Sequence, residues 1–190
     1  MLLVSPRSDT KAAATMQKSS FNTAIGWKSM GRAVSGTKNV SVGSAAGYYA
    51  YNVNNSTFVG ESSGRYARTG DRNTYVGGQS GAGTDSGSDN VYVGFETGEF
   101  AKNGGNNVYI GVRAGQKNIN GGNNIFIGYQ AGSNISNVYD TIIIGTSSGG
   151  NASNISDSVI IGPHAGENLI NGNELVFNRS LCRSKFNQWV

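Results

Sequence analysis

His164 is the single histidine of this 190-residue chain and Cys182 its single cysteine, so general-base, thiol and metal chemistry have few places to start. His164 stands two residues after Gly162, at a position that earlier stretches fill with Lys28, Arg113 or Gln130. So variable a position reads as solvent-facing rather than as a metal or catalytic site. Cys182 reads as a free thiol, and one cysteine excludes an intrachain disulfide framework. Asp85 and Asp89 in the run Thr84–Asn90 resemble an acidic calcium loop. A calcium-binding roll, however, repeats every nine residues with Asp in each turn, and here the acids are isolated. The Gly-xxx-Gly spacings lie in polar surroundings, unlike a membrane-helix motif, and no Gly-Lys-Ser/Thr follows them to cradle phosphate. Asn-x-Ser/Thr triplets such as those at Asn134 and Asn151 follow from the Asn/Ser-rich composition. With no catalytic constellation, the expectation is a protein that is not an enzyme and needs no cofactor.

The glycines set the framework. Gly26, Gly43, Gly60, Gly77, Gly94, Gly111, Gly128, Gly145 and Gly162 follow one another at intervals of 17 residues, without insertion or deletion. A fixed short period means one structural unit stacked on itself. The expected fold is therefore all-β, a parallel β-solenoid of nine 17-residue coils, about 43 Å long at about 4.8 Å per coil. Glycine suits the corners because it reaches backbone angles barred to other residues.

Within each coil, the residues three before and one before the glycine are β-branched throughout, from Thr23 and Ile25 to Val159 and Ile161. Alternate strand positions share a face, and these two columns read as the interior ladders. The residue four before is Asn in six coils; the residue three after is always small. The column two before should then point outward. It runs Ala24, Ser41, Phe58, Tyr75, Tyr92, Tyr109, Phe126, Ile143, Ile160. Seven large residues from Phe58 to Ile160 need cover, either as a subunit interface around a symmetry axis or as an aromatic platform for sugar rings. Ile143 and Ile160 do not suit sugar stacking and favour the interface.

Hydrophobic residues make up 37% of the chain and charged residues 14%, with 29 glycines, which is thin for an ordinary globule. The net charge of +4 is uneven: residues 1–38 and 179–190 are basic, and the stretch between is acidic. Neither end clusters its basic residues with aromatics as a nucleic-acid site would. No apolar run approaches a signal peptide or a membrane span. Residues 1–21, with a short helix expected after Asp9, read as a cap or attachment segment, residues 22–174 as the roll, and residues 175–190 as a cap or partner-binding tail. Arg183, Phe186 and Trp189 are the expected contacts in that tail.

The stretch NNVYIGVRAGQKNINGGNNIFIGYQAG resembles the repeats of bacteriophage tail fibres and of the heads of trimeric autotransporter adhesins. The head-repeat core, Asn/Ser then branched, Ala, Ile, Gly, is matched at Asn22–Gly26, Asn39–Gly43 and Ser158–Gly162. The resemblance spans about residues 22–174. It implies a left-handed parallel β-roll assembled as a homotrimer, and leaves the ligand open. The longer period, the aromatic column and the lack of secretion or anchor segments favour a virion protein assembled in the host cytoplasm. The expected function is a short trimeric phage fibre that meets other virion proteins through its ends and contacts a host-surface glycan or protein, without nucleic-acid binding or membrane insertion. The alternatives are a capsid decoration or tail connector without receptor binding, and the head of a bacterial adhesin.

Overall fold

In the computed structural model, which describes residues 18–178, the chain is an all-β parallel solenoid of about nine turns, with no helix among those residues. Each turn contributes one three-residue strand to a ten-stranded sheet. Its strands are β2 (Thr23–Ile25), β4 (Val40–Val42), β5 (Thr57–Val59), β6 (Thr74–Val76), β7 (Val91–Val93), β8 (Val108–Ile110), β9 (Ile125–Ile127), β10 (Ile142–Ile144), β12 (Val159–Ile161) and β14 (Val176–Asn178). Every strand pairs in parallel with the residue 17 further on, as in Tyr92 opposite Tyr109. Two small parallel pairs lie at the ends: β1 (Lys18–Ser20) with β3 (Ser35–Thr37), and β11 (Ser153–Ser156) with β13 (Ile170–Asn173). The sheet runs past the expected boundary at 174, because Val176 and Phe177 continue the strand columns and pair with Val159 and Ile160. The expected helix after Asp9, Cys182 and the tail residues Arg183, Phe186 and Trp189 all lie outside the described residues.

The interior is not where the β-branched columns placed it. Phe58, Tyr75, Tyr92, Tyr109, Phe126, Ile143 and Ile160 are all 0% exposed and form the core of a single chain. They offer no surface to a second subunit, so neither the interface nor the sugar platform assigned to that column stands. Tyr75, Tyr92, Tyr109 and Phe126 stack with centroids 4.8 Å apart and planes within 13° of parallel. The physical reason for the inversion is volume. The rings face the segment that follows the glycine, where positions three and four after are small. A Cβ at Gly81 would stand 2.6 Å from the Tyr75 ring. In the first coil the ring position is Ala24, and Met30 replaces the glycine four after; both are buried together with Ala33. β-branched residues occupy the outer positions because they suit an extended backbone, and Thr23, Thr57 and Thr74 show that burial is not required there.

A second buried column closes the corner before each strand. The Asn107 side-chain amide donates to the Gly121 carbonyl at 2.9 Å, and its oxygen accepts from the Asn124 backbone N–H at 3.1 Å. Asn39, Asn73, Asn90 and Asn124 repeat this pattern. An amide offers a donor to its own coil and an acceptor to the next, so buried backbone groups at the corner stay paired. Ser56 and Ser158 keep the acceptor role, receiving the Asn73 and Leu175 backbone N–H groups at 3.0 and 3.1 Å.

Candidate functional site

With the rings inside, the outward residues of the ten-stranded sheet are the two β-branched columns. Val40, Val91, Ile110, Ile125 and Ile161 are 36–39% exposed there, and Val176 is 82% exposed. Three-residue strands about 10 Å long, stacked over nine spacings of about 4.8 Å, present on the order of 400 Å2 of nearly unbroken apolar sheet. That is the size at which an exposed patch marks an interaction site. Trp27, Phe95, Val112 and Tyr129, each one residue past its glycine, widen it at one margin and are 38–50% exposed.

The side across the roll is different in chemistry. Residues five and six after the glycine follow the segment that packs on the rings, and they project away from the sheet. In the early coils they carry aromatic and basic side chains. Tyr49 and Tyr66 stack at 5.1 Å with planes 10° apart, and Tyr48 and Tyr51 meet Tyr49 edge-on. Arg32 lies over Tyr48 and Tyr49, and Arg65 over Tyr66 at 5.3 Å, within cation–π range. At the sheet margin, Lys28 sits 4.0 Å above Trp27. In the later coils the six-after position becomes Asn134, Asn151 and Asn168, linked coil to coil through their amides at 2.8 and 3.3 Å.

Two cavities open on this side. One, of about 310 Å3, is lined by Glu61, Arg65, Tyr66, Gln79, Glu99 and Phe100 among others. The other, of about 270 Å3, is lined by Tyr66, Arg68, Gly83, Asp85 and Lys102. Sequence reasoning missed this region, because it looked for aromatics only in the strand column. The signal was present in the six-after column, which runs Tyr49, Tyr66, Gly83, Phe100.

The acidic residues singled out by the sequence are engaged in ion pairs between coils. Asp89 receives Arg72 through two hydrogen bonds of 2.6 and 2.8 Å, and Asp85 meets Arg68 at 3.4 Å. The hydrogen bond from Arg72, helped by its charge, holds the Asp89 carboxyl below the usual range and Arg72 above its own. Both pairs are exposed and contribute little to stability. His164 is exposed, with Nδ1 2.9 Å from the Glu167 carboxylate. Among the described residues no group of three His, Cys, Asp or Glu is placed to hold a metal ion, and no helix is long and apolar enough to cross a membrane.

The corner glycines have a reason beyond the turn. Gly128 has φ +135°, and a Cβ there would stand 2.6 Å from the Gly145 carbonyl oxygen of the next coil. Other turn positions reach positive φ without glycine, as at Ala45, Gln130 and His164, so it is the close approach of coils that demands glycine at the repeat position. Comparison with family models, with curated proteins and with solved structures gives no match to this chain.

Proposed function

We propose that this chain is a structural virion protein: a short homotrimeric bacteriophage fibre, attached to the particle and contacting the host surface. The observation that carries the reading is the outer face of the ten-stranded sheet, an apolar ladder running the length of the roll. A second copy of the same chain is its natural cover. Both surfaces repeat at the same rise per coil, so Val and Ile rows from neighbouring subunits register along their whole length around a closed axis. Three such faces exclude water from a central seam and leave the aromatic side of each roll outward. A rod built from stacked turns, without a catalytic cluster among its described residues, serves to span and to present. The partners in this reading are two further copies of the chain, other virion proteins at the terminal segments, and a glycan or protein of the host surface. The capsid decoration reading shares the architecture and differs only in lacking the host contact.

Immunogold labelling of particles that carry the gene, together with adsorption of purified protein to host cells, tests the proposal. The expected result is label at one locus of the particle and saturable adsorption to cells. Deletion of residues 179–190, or separately of 1–20, is expected to abolish attachment to the virion or to its host partner while the rod still forms. Labelled particles with no adsorption support decoration instead, and label on the bacterial surface supports an adhesin.

A further inference from the structure

The fourth coil is stripped of side chains where its neighbours are large. At one, five and six residues past the glycine it has Gly78, Ala82 and Gly83; the coil before has Glu61, Arg65 and Tyr66, and the coil after has Phe95, Glu99 and Phe100. The gap is held open by the backbone. The Gly83 N–H donates to the Glu99 carbonyl at 2.7 Å, and a Cβ on Gly83 would stand 2.6 Å from that same oxygen. Tyr66 is stacked on Tyr49, and the Arg65 guanidinium lies over the Tyr66 ring at 5.3 Å beside the gap. Phe100 closes the far side of the same cavity. Tyr66 and Phe100 are two coils apart, about 9.6 Å at about 4.8 Å per coil, so a space lined by Arg65, Tyr66 and Phe100 opens at Gly83.

We propose that this notch is a binding site for a neutral pyranose ring, packed against Arg65, Tyr66 and Phe100. The walls supply aromatic faces for the C–H side of a sugar. The rim supplies hydroxyl partners: the Glu61 and Glu99 carboxylates, the Gln79 amide and Arg65. Glu61 accepts from the Ser62 hydroxyl at 2.6 Å and Glu99 from the Gln116 amide at 2.8 Å, which orients each carboxylate and leaves acceptor capacity free. The Arg65 Nε is buried without a hydrogen-bond partner at this rim. Glu61, Asp85 and Glu99 are balanced by Arg65, Arg68 and Lys102, which favours an uncharged ligand. A volume of about 310 Å3 fits a small ligand. The second cavity shares Tyr66 and borders Gly83, so it offers a neighbouring subsite for the next residue of an oligosaccharide. Arg65, Tyr66, Glu99 and Phe100 place most of the site in the segment five and six residues past the glycine, away from the strands of the apolar sheet face. It rests on the host-contact reading for its biological role.

Saturation-transfer NMR on the full chain tests the site, with methyl glucoside, methyl galactoside, N-acetylglucosamine and their short oligomers as probes. The expected result is transfer to the ring protons of at least one probe, with millimolar affinity for the monosaccharide and tighter binding of its oligomer. Tyr66→Ala and Phe100→Ala, both at exposed positions, should each weaken binding at least tenfold, while Tyr139→Ala leaves it unchanged. No transfer from any sugar, equal transfer in Tyr66→Ala, or transfer to choline in place of every sugar would overturn the assignment. The two readings fail separately. Sugar binding by a protein absent from particles removes the fibre and keeps the notch; saturable adsorption with no transfer to any sugar removes the notch and keeps the fibre.

Discussion

Gly128→Val is expected to abolish the folded rod, whereas Gln130→Ala, two residues away, leaves the melting temperature within the range of a neutral surface change. Gly128 combines two demands that no L-residue meets together. Its φ of +135° lies where side chains are strained, and its Cβ would press on the carbonyl of Gly145 at 2.6 Å, with that carbonyl carbon at 2.7 Å. The obstacle is backbone, so no rotamer change relieves it. Separating the two coils instead breaks the backbone hydrogen bonds between them, including Gly145 N–H to the Ile127 carbonyl at 2.8 Å. In a stacked repeat each coil is stabilised only by its neighbours, so a loss of about 4–5 kcal/mol at one junction, at the extreme of single substitutions, exceeds what the local stack can absorb. Gln130→Ala and His164→Ala should stay within about 0.5 kcal/mol. Circular dichroism and thermal melts of the three variants check this, and a Gly128→Val protein that melts like the parent would contradict the close stack of coils.

Tyr92→Ala is expected to cost about 3–5 kcal/mol, the range for removing a buried aromatic side chain. Its ring sits between Tyr75 and Tyr109 at 4.8 Å on both sides, so the vacancy breaks two stacking contacts as well as leaving a cavity. Thr74→Val, on the outer face of the same sheet, should move stability by less than about 0.5 kcal/mol. Urea titrations distinguish the two faces, and equal midpoints for both variants would refute the placement of the rings inside. The ring ladder also predicts alkali sensitivity. Burial raises the Tyr75, Tyr92 and Tyr109 hydroxyl pKa values above the ordinary value of 10. The unfolded chain loses these protons near pH 10 while the folded chain keeps them. Stability is therefore complete below about pH 10 and falls as pH rises above it.

The period, the strands and the corner glycines were legible because stacking an identical unit leaves an unbroken interval in the sequence. The facing of the strand was not, because β-branched residues satisfy two different rules: they fill cores and they favour extended backbone. Choosing between those rules needed the partner columns. Met30 enlarges where Ala24 shrinks, and Thr84 and Asn118 bring polarity into an otherwise mostly aliphatic column on the coils of Tyr75 and Tyr109. Asn118 in fact donates to the Tyr109 hydroxyl at 2.7 Å. Such compensation is expected only if the ring column points inward. The notch at Gly83 was obscured differently: it is an interruption in a column, and periodic reasoning attends to what recurs.

The inversion moves the apolar face proposed to need cover from the rings to Val40, Val91, Ile110, Ile125 and Ile161. Light scattering on the purified full chain, with an outer-face variant beside it, tests that need most directly. The account predicts a particle of three times the 19.8 kDa chain mass, and for Ile110→Lys combined with Ile127→Lys a species of one chain mass with unchanged far-ultraviolet circular dichroism, since both side chains point away from the core. A parent protein that remains a single 19.8 kDa chain at all concentrations, with its apolar sheet face in water, would contradict it.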